Sequence, residues 1–148
     1  MKKILFLLTT AVWLFASCEG PAGKDGAEMY WFVKTYTINS NQWQLVGGAD
    51  KLNSYYQASV NIPELDRDIF EKGNVSCYMF QRVNNVEVQT PLPYTIPMGE
   101  NKGNTELLWT ETFACDFSIG RVNFYVNYSD FYTSNRPPTI TFRVVLNY

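Results

Sequence analysis

From Met29 onward, apolar and polar residues alternate with a period of two along most of the chain, the mark of half-buried β-strands. Met29–Ile38 (MYWFVKTYTI) reads as a strand with aromatic rings on both faces. In Ser54–Ile62, Tyr56, Ala58, Val60 and Ile62 share one face; further on, Val75, Cys77 and Met79 alternate with Ser76, Tyr78 and Phe80. Asn84-Asn85 predicts a tight hairpin, because Asn tolerates positive φ. Val86–Ile96 continues as a strand whose second half Pro91 and Pro93 confine to a sheet edge. Pro97–Asn104 is rich in breakers and reads as a loop. Leu107, Trp109, Phe113 and Cys115 then fall in register, and Asp116–Gly120 reads as a turn. Val122, Phe124, Val126 and Tyr128 oppose Arg121, Asn123, Tyr125 and Asn127, Ser129–Pro138 is a long loop, and Ile140 to Tyr148 forms the last strand.

Only Pro63–Lys72, closed by Gly73, has a helical character, worth one or two turns. Seven or eight short strands with regularly spaced turns predict an all-β fold, a single antiparallel β-sandwich over residues 29–148. A small β-barrel of six to eight strands is the alternative.

The amino terminus follows a different pattern. Met1-Lys2-Lys3 is followed by Ile4–Ala16, thirteen residues without a charge. That run is shorter than the roughly 20 residues a membrane span needs and matches the apolar part of a secretory signal. Small residues Ala16 and Ser17 precede Cys18. The junction resembles a bacterial lipoprotein signal, with Phe15 standing where Leu is usual. The resemblance implies cleavage of residues 1–17, a lipid on Cys18, and a cell-envelope location on the outer membrane, facing the periplasm or the cell surface. An ordinary cleaved signal beside an unmodified Cys is the alternative. Gly20–Glu28 (GPAGKDGAE) has the Gly-x-y register of collagen but reads as a wet, flexible tether over 18–28. Ten such residues, extended at ~3.1 Å each, reach roughly 30 Å.

Removing the 17 signal residues from 148 leaves 131, one domain's worth, and takes away two of twelve basic side chains against fourteen acidic ones. With no basic patch, nucleic acid is excluded as an expected partner. The chain has no histidine, which removes Ser-His-Asp and Cys-His chemistry and imidazole metal sites. No cofactor is implied. Cys77 and Cys115 both lie on apolar strand faces; they form either a disulfide in an oxidising compartment or two buried free thiols.

A lipoprotein Cys, the GPAGKDG spacer, WFVKTYTI, YYQASVNIPELDRDIFEKGNVSCYMF, PLPYTIP and a terminal TFRVVLNY together resemble uncharacterised Bacteroides-type lipoproteins with a short collagen-like spacer. That resemblance implies a location, the acyl site at Cys18 and no catalytic residue.

Three surface chemistries can be weighed. Glu64, Asp66, Asp68 and Glu71 cluster in PELDRDIFE, and Asp66 and Asp68 are calcium candidates of the kind a C2- or PLAT-like lipid-binding sandwich uses. They lack the Gly and spacing of an EF-hand, so a polar turn at a helix start is the plainer reading. Among Trp43, Tyr55, Tyr56, Tyr94, Trp109, Phe131 and Tyr132, a core position is the commoner reading for a ring in a small β domain; the loop residues Trp43, Phe131 and Tyr132 are the candidate ligand contacts, the pair Phe131-Tyr132 the sharper, since exposed rings stack on sugars or anchor partners. Glu111 and Asp116 read as solvated rim acids, not as the fixed carboxylate pair a glycosidase needs. The expectation is a non-catalytic, membrane-anchored binding module for a glycan, peptide or protein partner. A structural or assembly lipoprotein of the envelope is the alternative.

Overall fold

The computed structural model describes residues 30–148. The expected signal, the tether and the lipid site at Cys18 lie outside the described residues. Among the described residues nine strands form: β1 (Trp31–Ile38), β2 (Gln44–Val46), β3 (Tyr55–Asn61), β4 (Asn74–Val83), β5 (Val86–Pro91), β6 (Tyr94–Lys102), β7 (Thr105–Ser118), β8 (Arg121–Tyr128) and β9 (Ile140–Asn147). They make two antiparallel sheets, ordered β1-β9-β4-β5 and β2-β3-β8-β7-β6. The sheets are open, so the fold is the sandwich and not the barrel.

The alternating apolar faces meet between the sheets. Phe124 of β8 stacks on Phe142 of β9, with centroids 4.1 Å apart. Val122, Val126, Val144 and Leu146 pack around them with almost no exposure. Fully burying side chains of this size contributes about 1.5–3 kcal/mol each, which is what holds the two sheets face to face.

Strand directions define two ends. β1, β2, β4, β6 and β8 run toward one end, here called apical, and β3, β5, β7 and β9 run away from it. The apical end therefore carries the loops 47–54 and 129–139 and the hairpin turns Asn84-Asn85 and Gly103-Asn104. The basal end carries Tyr30, Tyr148, residues 62–73, the Leu92-Pro93 crossover and the Ile119-Gly120 turn. Asn84 and Asn85 adopt positive φ (50° and 66°), as does Gly103 (65°), which is the backbone geometry two-residue hairpins select.

A short helix, α1 (Arg67–Lys72), closes the basal end. Asp66 caps it by accepting from Ile69 N at 2.9 Å, and Leu65 and Ile69 bury themselves beneath it. Gly73 ends it because a Cβ there would lie 2.8 Å from the carbonyl oxygens of Ile69 and Asn147.

Three segments depart from the sequence reading. Pro97–Asn104 is not a loop: β6 runs to Lys102, paired with Thr105. Its proline and glycine are tolerated because β6 is the edge of its sheet. Val86–Ile96 is two strands rather than one; the chain changes sheets at Leu92-Pro93, a cis peptide, and β5 and β6 become the edges of different sheets. Finally, β7 continues to Ser118 where a turn was expected, held by the cross-strand pair Asp116–Asn123 at 2.7 Å.

Candidate functional site

β4 and β9 are paired only as far as Met79 and Phe142. Beyond that point they part, and the β4–β5 hairpin leaves the sheet. β7 pairs with β8 only from Glu111 onward, and Thr110 is still bonded to Ser129, so Thr105–Trp109 projects with β6 as a second hairpin. The space at this apical end is an open cleft of about 640 Å³, within the range usual for ligand sites. Its floor is apolar, made by Met79, Ile96, Met98 and Phe113, with Arg82 and Glu87 at its rim. The inner face of the projecting hairpin follows from strand alternation: Tyr94, Ile96 and Met98 lie opposite Phe113, Glu111 and Trp109. On its outer face Leu108, paired with Gly99, is 77% exposed.

Beside the cleft, the 129–139 loop is tied down at several points. Asp50 accepts from Thr133 N at 2.6 Å and from Ser134 Oγ at 2.9 Å. The Thr133 amide, followed by the Ser134 hydroxyl, holds the Asp50 carboxyl below the usual carboxylate range. Tyr56 Oη donates to the Thr133 carbonyl at 2.6 Å. Within this frame Phe131 sits at φ 57°, a left-handed conformation that bulky residues avoid. Tyr132 N donates to Asp130 Oδ1 at 3.1 Å. The result is a half-buried Phe131 and a Tyr132 that is 53% exposed.

Trp43 is a correction. Of its two readings, ligand contact or core ring, the structure takes the core one: it is buried to 1% exposure. Its ring meets Phe142 edge-on at 6.2 Å and its Nε1 donates to the Pro138 carbonyl at 3.1 Å. The residues around it, Ser40–Gln42 and β2, are ordered elements and not an open loop. A tryptophan with its N–H satisfied is well suited to burial. Of the other rings, Tyr56 is core, Tyr55 packs edge-on against Tyr125, and Tyr94 lines the cleft.

Cys77 of β4 and Cys115 of β7 meet between the sheets as free thiols. Their proximity lowers the Cys115 thiol and, reinforced by burial, pushes Cys77 up. The helix acids are occupied singly. Asp66 is the cap, Asp68 pairs with Lys72 at 2.9 Å and Glu71 with Arg67 at 3.1 Å. Among the described residues no three potential metal ligands come together, so the calcium candidates Asp66 and Asp68 do not converge on one point. Asp116 accepts from Asn123 and from the Tyr125 hydroxyl; burial, with Asp116 second, pushes Tyr125 up to about 12. Glu111 lies five positions from Asp116 along β7 and so on the opposite face, which rules the two out as a catalytic pair.

A second, polar cleft of about 470 Å³ lies on the flank between β1 and β3, where the short β2 stops. Asn41, Gln42, Gln44, Gln57 and Ser59 line it together with Tyr36. The Tyr36 hydroxyl is buried without a partner. Sequence reasoning missed both clefts, because each arises where a strand stops pairing, which alternation does not record. The chain matches no family model, no curated protein and no solved structure.

Proposed function

We propose that this chain is a membrane-anchored, non-catalytic binding module of the bacterial cell envelope, held by a lipid on Cys18 and presenting its apical end to a protein partner. One observation carries the reading. The open apolar cleft, the two projecting hairpins and the tied-down Tyr132 loop all lie at the end opposite Tyr30, from which the chain leads back toward the tether. Exposed apolar residues gathered around a cleft mark interaction sites, and an aromatic ring on a preorganised loop makes a low-entropy anchor. The resemblance to Bacteroides-type lipoproteins supports the anchor and the location.

A photoreactive residue placed at Tyr132 or Leu108 in intact cells is expected to capture a discrete protein partner. The same residue at Phe70, on the basal end, is expected to capture none. Equal protein adducts from both ends, or none from the apical end, would sink the reading.

A second reading, recognition of a neutral glycan, is favoured by the flank cleft. Its side-chain amides both donate and accept, as sugar hydroxyls require, and no charged residue lines it. Gln57→Ala and Tyr36→Phe would each be expected to weaken binding of a neutral oligosaccharide roughly 3- to 10-fold. Unchanged affinity in both variants would dispose of that site.

A further inference from the structure

The basal end exposes several large apolar side chains beside the charged surface of α1. Tyr30, Trp31, Phe70, Phe117, Ile119 and Tyr148 are all substantially exposed, Trp31 to 59%. They belong to one end of the molecule and are linked across it. Tyr30 and Tyr148 exchange backbone hydrogen bonds at 3.1 and 3.2 Å, the Lys72 ammonium lies beside Tyr148, and Phe70 meets Phe117 edge-on at 6.0 Å. Ile119 sits in the turn whose Gly120 N–H bonds to the Leu65 carbonyl, just before α1. The charges of α1 cancel in pairs, Arg67 with Glu71 and Lys72 with Asp68.

The composition of this surface identifies what covers it. Tyr and Trp are the rings that settle at the boundary between headgroups and acyl chains, with an apolar body and a polar tip. The large apolar residues exposed on the apical hairpins are instead aliphatic, Val83, Val86, Leu107 and Leu108. Tyr30 is twelve residues from Cys18 in the chain. That tether can hold the domain at a distance or let its basal end touch the bilayer, and the aromatic surface favours contact. We infer that the basal end of the sandwich lies in the headgroup region of the membrane that carries the lipid anchor, with Trp31 and Tyr148 inserted and no requirement for anionic lipid. The inference rests on the anchored reading above. It fixes the domain's orientation, with the apical cleft turned away from the membrane.

The test uses the full chain, processed and lipidated in a bacterial host, with Trp109→Phe so that Trp31 and the buried Trp43 are the remaining fluorophores of the domain. In phosphatidylcholine vesicles, lipid brominated near the headgroup is expected to quench the Trp31 emission, and raising the salt to about 1 M, where exposed charges are screened within ~3 Å, is expected to change nothing. Trp31→Ser should abolish the quenching without unfolding the domain, because Trp31 is exposed. A chain that pellets with vesicles while Trp31 stays unquenched would overturn the inference and leave the anchor intact. A chain that does not pellet overturns both. Quenching that vanishes in high salt would also overturn it, since the contact would then be ionic.

Discussion

The two ends of the sandwich are closed by opposite means. At the basal end Leu65 and Ile69 cap the core from below α1, the helix start is capped by Asp66, and the Ile62 and Gly120 amides are bonded to carbonyls at 2.8 Å. At the apical end the cover is partial: Trp43, Thr133 and Pro137 are buried there, and an open cleft remains beside them. β4 and β9 part after Met79 and Phe142, and the gap is bordered by hairpins and by a loop tied down through Asp50 and Thr133. A sandwich needs a plug where its sheets diverge, because strand pairing covers only the flanks of an apolar layer. Where the chain supplies a plug, large aromatic rings are left exposed beside the paired charges of α1. Where the plug is partial, aliphatic side chains are exposed on the hairpins and Tyr132 on the loop, beside a concave cleft. The first is the end proposed to meet the membrane and the second the end proposed to meet a partner.

The largest expected effect tests what supports the apical end. Trp43 joins Phe142 in the core to the Pro138 carbonyl just before β9. Trp43→Ala is expected to cost about 3–5 kcal/mol, read by denaturant unfolding. A loss under about 1 kcal/mol would mean the ring is not part of the core. Next in size is the thiol pair that spans the sheets. In an exported chain, Cys115, whose thiol is lowered beside Cys77, attacks as the thiolate a disulfide of an oxidising partner. Cys77 then displaces that partner's sulfur, leaving one new S–S bond here and two thiols on the partner. Oxidation is expected to add about 2–4 kcal/mol. Two alkylated sulfurs in the denatured, unreduced envelope protein would show that the pair stays reduced.

Smaller effects separate the ends directly. Asp66→Ala removes the cap of α1 and is expected to cost about 1 kcal/mol, with hydrogen exchange speeding up in α1 and not in the 129–139 loop. Asp50 acts at the other end and through pH. Its folded pKa lies below its ordinary value, so its contribution is complete above about pH 4 and is lost as pH falls through the lower, folded value. Exchange of the Thr133 amide is therefore expected to accelerate at acid pH, relative to the core, in the wild type and to be fast at all pH values in Asp50→Asn. Protection of that amide that is unchanged by acid and by the substitution would remove Asp50 as the tie.

Alternation along the chain was enough for the strands that pack in the core. Val122 to Tyr128 and Ile140 to Leu146 bury every second residue, as the period requires. It failed at edges, where Pro97 and Gly99 sit within β6 because an edge strand has a free side. It also misplaced Trp43, since a lone aromatic among Asn, Gln and Ser carries no period, and only the fold reveals that Ser40–Gln42 folds back over the core. Phe131 and Tyr132 were legible as a loop pair, but the left-handed turn that orients them was not, because Phe has no preference for it.

The smallest stability effect is also the sharpest functional one. Tyr132 is exposed and its ring makes none of the hydrogen bonds that tie the loop, which run through Asp50, Ser54, Tyr56 and Thr133. Tyr132→Ala is therefore expected to change stability by no more than about 0.5 kcal/mol while abolishing partner capture from a probe at Leu108. Phe131→Gly separates conformation from contact. Glycine adopts φ 57° freely, so the turn survives while the supporting ring is lost. If capture persists in Phe131→Gly and fails in Tyr132→Ala, the exposed ring is the contact and the left-handed turn serves to aim it. If both variants capture normally, the apical end binds through the cleft alone, and the strained turn needs another cause.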